Sequence, residues 1–183
     1  MRNVTVWIWL LFVAAPGWAV DCAALKFRGQ GYTACTVDVR HDDIRLFLRA
    51  PGAAPYGDFS ALNAALAQQN LTLSFAMNAG MYHPDRSPVG YYVEQGITQM
   101  RLLTRASGGN FGLLPNGVIC VTDQTIEVIE TLKFKARNLA CRFASQSGPM
   151  LVIDGALHPQ FLKDSQSRYI RNGVGMRAGG RQA

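Results

Sequence analysis

Apolar and polar residues alternate through much of this chain. Cys35, Val37 and Val39, then Ile44, Leu46 and Leu48, recur at the two-residue period of a half-buried strand, with His41-Asp42-Asp43 as the turn between them. Beyond the loop 51–55 the period lengthens. Asp58 or Ser60 can cap a helix that sets Phe59, Leu62 and Leu66 on one face and stops at Asn70. Strands are then predicted at 71–77, 91–94, 97–103, 111–114, 118–122, 125–129 and 139–143, with Asn116-Gly117 and Asp123-Gln124 as turn chemistry. Asp154-Gly155, between two short apolar runs, reads as a type I′ hairpin. The expected fold class is α+β, a sheet-rich single domain with few helices.

Composition supports one core: of 183 residues 49% are hydrophobic and 16% charged, which excludes disorder, collagen and coiled coil. Eighteen Lys and Arg against twelve Asp and Glu give a net charge of +6, a bias toward polyanionic partners. The basic residues are scattered, without a run or an interleaved aromatic platform, so nucleic acid is not an expected partner. Residues 1–19 carry Arg2, an apolar stretch from Val4 to Ala15, then Pro16-Gly17 and the small Ala19, the pattern of a secretory signal peptide. The apolar stretch is too short to cross about 30 Å of hydrocarbon, so no stable membrane anchor is expected once it is removed. The domain would occupy residues 20–183, in the periplasm or outside the cell. An oxidising compartment turns four cysteines toward disulfides. Cys22 and Cys35 flank a hairpin pattern and Cys120 and Cys141 lie in later strand-like runs, so of the three possible pairings 22–35 with 120–141 is preferred. No CxxC or CxxH spacing occurs; no metal and no cofactor are expected.

Chemistry-bearing residues without a packing role gather in three loops. The first, 78–90, holds Asn78, His83 and Asp85 and leads to Glu94; it reads equally as a long turn whose Asn, Asp and Gly serve the backbone. The second runs from Gln146-Ser147-Gly148-Pro149 to the Asp154-Gly155 turn and His158. The third, 164–175, holds Asn172 with Arg168 and Arg171, two arginines whose forked guanidinium donors match phosphate oxygens as a lysine cannot; a solvated basic loop is the other reading.

At these loops the sequence resembles the phosphodiester glycosidase family. The resemblance is carried by Phe75-Ala76-Met77-Asn78-Ala79-Gly80-Met81-Tyr82, by Asn110-Phe111-Gly112-Leu113-Leu114-Pro115-Asn116-Gly117, by Ser147-Gly148-Pro149-Met150-Leu151-Val152-Ile153-Asp154-Gly155 and by Arg171-Asn172-Gly173-Val174-Gly175, in the family's order. It implies an exported hydrolase that cleaves between the anomeric carbon of a sugar and a phosphodiester. Asn78 matches the Asn of an Asn-Gly-Gly-Phe-Phe-like motif, with Ala79, Met81 and Tyr82 as departures in the manner of the bacterial branch. Arg171 matches the Arg that precedes an Ile-Gly strand. On this resemblance Arg168 and Arg171 are expected to take the phosphate, Asn78, Asn110 and Asn172 to contact sugar or phosphate oxygens, and Glu94 with His83 to act as acid or base. A phosphomonoester leaving group, with a second pKa of about 6, needs little protonation, which puts the burden on stabilising charge. The family carries a later Asp-Gly-Gly-like motif and the sequence ends before it, so the C-terminal strands are expected to be missing, and an inactive chain is one expected outcome. The alternative is a noncatalytic envelope module that binds phosphorylated glycans through the same loops.

Overall fold

In a computed structural model the described residues are 20–161, 169–177 and 183; the expected signal segment 1–19 and Arg168 lie outside them. Strands β1 (Asp21–Phe27) and β2 (Gln30–Thr36) form a hairpin about Arg28-Gly29, with Cys22 opposite Cys35 and bonded to it. Helix α1 (Phe59–Ala67) starts where the sequence allows: the Asp58 carboxylate accepts the Ala61 N–H at 2.8 Å, and Leu62 and Leu66 are buried. There follow β3 (Tyr92–Glu94), β4 (Ile97–Met100), β5 (Gly117–Val121), β6 (Ile126–Glu130), α2 (Thr131–Arg137), β7 (Phe143–Ser147) and the two-residue strands β8 (Val152–Ile153) and β9 (Ala156–Leu157). The β8–β9 turn is the expected Asp154-Gly155, both at positive φ (49° and 82°).

Strands β3 to β7 make one antiparallel sheet in the order β4-β3-β7-β5-β6. Alternation gives it two apolar faces. Val93, Val118, Cys120, Ile129 and Ala144 pack with Phe134 of α2 on one face, where the buried Cys120–Cys141 disulfide ties β5 to the chain entering β7. Val121, Ile126 and Phe143 pack on the other, against Val39, Ile44 and Leu46. The result is a sheet-rich α+β domain.

Several predicted strands take other forms. Asp38 stops the first alternation: its carbonyl accepts the His41 and Asp42 N–H groups and its carboxylate accepts the Arg40 N–H, making a tight turn. The 44–48 run half-buries Ile44 and Leu46 but joins no ladder among the described residues, and its Leu48 N–H is satisfied by the Glu94 carboxylate at 3.1 Å. Segment 71–77 is irregular, with no strand paired to it among the described residues. Phe111 stands in a 3-10 turn after Gly109 (φ 74°). Cys141 is drawn into its disulfide, and the last predicted strand, expected from residue 139, starts four residues later, at Phe143. Helix α2 is not foreshadowed by periodicity; the Glu130 carboxylate accepts the Lys133 N–H at 2.8 Å and Asn138 ends the helix in the left-handed region.

Candidate active site

The candidate loops meet at the C-terminal end of β7. The 78–90 loop lands there on two glycines that leave no room for a side chain. A Cβ on Gly80 would lie 2.5 Å from the Gln146 carbonyl oxygen and 2.6 Å from Ser145 Oγ; one on Gly90 would lie 2.5 Å from the Phe111 ring. Phe111, buried, therefore links the turn that carries Asn110 to the base of the loop, and its carbonyl sits against Gly148. Asn110 itself is exposed at the rim.

Across from this loop runs the segment 169–177. Its Asn172 Nδ2 donates to the Asn78 carbonyl at 3.2 Å, so residues 94 positions apart in the chain are side by side. Arg171, next to Asn172, is exposed with its guanidinium 5.3 Å from the centre of the Tyr169 ring. On the 78–90 side a second guanidinium, Arg86, lies 5.0 Å from the Tyr82 ring. Stacking on an aromatic face leaves the N–H edge of a guanidinium available to an anion. No sequence motif singles out Tyr82 and Arg86 as a pair; the turn that folds one over the other brings them together.

His83 and Asp85 occupy the exposed tip of the same loop. The His83 N–H donates to the Ser87 carbonyl at 2.9 Å, and the Ser87 hydroxyl and N–H donate to the Asp85 carboxylate at 2.6 and 2.9 Å. The Ser87 hydroxyl, then its backbone N–H, holds the Asp85 carboxyl below the ordinary aspartate range.

Glu94 points elsewhere. It ends β3 on the side where β7 begins, one residue beyond the pair Val93–Ala144, whereas the loops gather where β7 ends. Its Oε2 accepts the Leu48 N–H at 3.1 Å, the Tyr92 hydroxyl at 3.0 Å and Gln99 Nε2 at 3.4 Å. Burial and then the Glu94 charge push the Tyr92 phenol well above its ordinary value, which keeps it a donor to this carboxylate. The expected acid or base is thus engaged in joining β3 to the 44–48 run. His158 is buried too: its Nδ1 accepts the Gln160 N–H at 3.2 Å, which leaves Nε2 as the donor to the Leu114 carbonyl at 3.0 Å. Among the described residues no three His, Cys, Asp or Glu side chains are grouped so as to hold a metal ion, and no helix is long and apolar enough to cross a membrane.

A family model described as phosphodiester glycosidase matches residues 72–182, more than half of the chain and all the loops just described. The uncharacterized protein YigE of Escherichia coli (strain K12) is 31% identical over 171 residues, which cover 92% of this chain and 66% of that protein. No solved structure matches.

Proposed function

This chain belongs to the phosphodiester glycosidase family, and on that premise we propose that it is an exported hydrolase of sugar 1-phosphodiesters, active in the periplasm or outside the cell. The observation that carries the reading is the Asn172 to Asn78 hydrogen bond, by which two separate family segments share one exposed surface beside a cationic side chain. Arg171 takes the phosphate of the substrate through its forked donors and stabilises the charge that grows on the leaving phosphomonoester. Asn78, Asn110 and Asn172 offer amide groups to sugar and phosphate oxygens. His83 is the exposed imidazole of the loop and serves as acid or base; Arg168 joins Arg171 on the phosphate. Glu94 is assigned to holding β3, because its carboxylate already accepts from Leu48 and Tyr92. The two disulfides fit an oxidising compartment.

The test is incubation of the purified chain with a synthetic glycosyl 1-phosphodiester. Release of free sugar and phosphomonoester is the expected result. Saturable binding without release would favour the envelope binding module, and neither binding nor release would overturn both readings.

A further inference from the structure

Gln146 sits inside β7, 1% exposed, on the face of the sheet that α2 covers. All the hydrogen-bonding capacity of its carboxamide is used. Oε1 accepts the N–H groups of Tyr91 and Leu103, each at 3.1 Å; Nε2 donates to the Leu103 carbonyl at 2.7 Å and to Thr131 Oγ1 at 3.1 Å. The Thr131 hydroxyl proton goes to the Asn116 carbonyl at 3.0 Å, so Thr131 can only accept from Gln146. Two donors converge on one end of the amide and two acceptors on the other, which fixes its orientation and leaves Gln as the side chain that satisfies all four groups.

The same residue meets the 78–90 loop at both ends. At the far end the Gln146 N–H donates to the Tyr91 carbonyl at 2.7 Å, its side chain holds the Tyr91 N–H, and a Cβ on Gly90 would lie 2.9 Å from its Oε1. At the near end the Gln146 carbonyl leaves no space for a Cβ on Gly80. We infer that Gln146 is a positioning residue: resting on the phosphodiester glycosidase reading above, it clamps both feet of the loop 78–90 onto β7 and so sets where Asn78 stands relative to Asn172. It touches no substrate. Its effect is geometric, and a displacement of about 1 Å in a reacting constellation costs on the order of 100-fold in rate.

Replacement by Leu would orphan two N–H groups and a carbonyl in the core, so the informative variant is the isostere Gln146→Glu. Protonated, it keeps an acceptor for Tyr91 and Leu103 and one O–H for the Leu103 carbonyl. Ionised, it is a buried charge facing the Leu103 carbonyl and Thr131 Oγ1. Burial and these neighbours raise the carboxyl above the ordinary glutamate value. The sign follows: with a folded value above the unfolded one, the clamp is whole at acid pH and is lost as pH rises through the raised value.

Two measurements on the full chain test this, each as a ratio of variant to parent at equal pH. The first is turnover of a glycosyl 1-phosphodiester. The kcat of Gln146→Glu should approach that of the parent at acid pH and fall about 100-fold below it at alkaline pH, with little change in KM. The second is amide hydrogen exchange at His83 and Val89, whose N–H groups bond within the loop, to Ser87 and Met81, and not to Gln146. These amides should exchange at least tenfold faster than in the parent, only at the higher pH. A pH-independent kcat ratio, with faster exchange confined to Tyr91 and Leu103, would reduce Gln146 to a core bridge and overturn the proposal. If the parent shows no turnover, the phosphodiester glycosidase reading falls, and the exchange arm alone decides the clamp: unmoved loop amides overturn it. Should Gln146→Glu not fold at any pH, Thr131→Val removes one of the two acceptors at every pH; it is read at a single pH, where kcat should fall below the parent's and the His83 and Val89 amides should exchange faster, and unmoved loop amides would overturn the proposal.

Discussion

At the scale of single residues, the site depends on how charge is presented. Arg171 is exposed and stacked on Tyr169, so its planar fork is oriented before any ligand arrives, and a lysine would keep the charge while losing both the fork and the stack. Arg171→Lys should lower kcat/KM by roughly 10- to 100-fold, the equivalent of one charge-assisted hydrogen bond of about 1.5–3 kcal/mol, and leave the melting temperature unchanged. Steady-state kinetics beside a thermal melt checks both halves. The tip of the 78–90 loop carries a pH signature of its own. Asp85 is held below the ordinary aspartate range, by the Ser87 hydroxyl first. A depressed folded value means that the ordering it provides is complete at neutral pH and disappears as pH falls through that value. Removing the hydroxyl in Ser87→Ala should move the Asp85 titration, followed by carbon NMR of its carboxyl, back toward the ordinary range. An unmoved titration would detach the tip from this hydrogen bond.

At the scale of elements, the chain is legible where partners are close in sequence. Helix α1 is one case: cap, buried face and terminator lie within 13 positions, from Asp58 to Asn70, and Asn70 does adopt positive φ (58°). Asp58→Ala should cost about 1 kcal/mol in denaturant unfolding, whereas Ser60→Ala should cost little. The β5–β6 pairing and the Asp154-Gly155 hairpin are legible for the same reason. Helix α2 is not, because a seven-residue helix that buries Thr131 and Phe134 offers too little period to separate it from the strand before it. The run 44–48 carries true alternation, yet alternation reports only a half-buried extended chain, and its donor goes to Glu94, 46 positions away, rather than to a neighbouring strand. The site divides similarly. The segments of Asn78 and Asn172 stand out by their motifs, while Gln146 reads as part of a loop since its partners lie 15 to 55 positions away. Glycine contacts are equally hidden until the fold is known. Gly80→Ala would drive a methyl group into a backbone oxygen that cannot rotate aside, and should destabilise by about 1–3 kcal/mol while lifting the loop and abolishing most turnover. Retained activity in that variant would separate the foot of the loop from the site.

At the scale of the molecule, two crosslinks of similar length should behave differently. They span 13 and 21 positions, and by loop entropy alone each restricts the unfolded chain by about 3 kcal/mol. Context separates them. Cys120 and Cys141 are buried in the core cluster with Val93, Val118 and Phe134, so their bond constrains the sheet and α2 as one cooperative unit. Cys22 and Cys35 join β1 to β2, a ribbon in which every residue from Asp21 to Ala34 is exposed. A two-stranded ribbon without a packed face is marginal in water, so this bond keeps the ribbon formed and adds little to the sheet. Replacing Cys120 and Cys141 by Ala should therefore lower the main unfolding transition by about 3 kcal/mol. Replacing Cys22 and Cys35 should leave that transition in place and speed amide exchange only within residues 21–36. Calorimetry with residue-resolved exchange on both double variants distinguishes the two cases. An equal loss in the main transition from both would mean that the ribbon unfolds with the sheet, and that its exposed face is coupled to the core through the chain leaving Thr36.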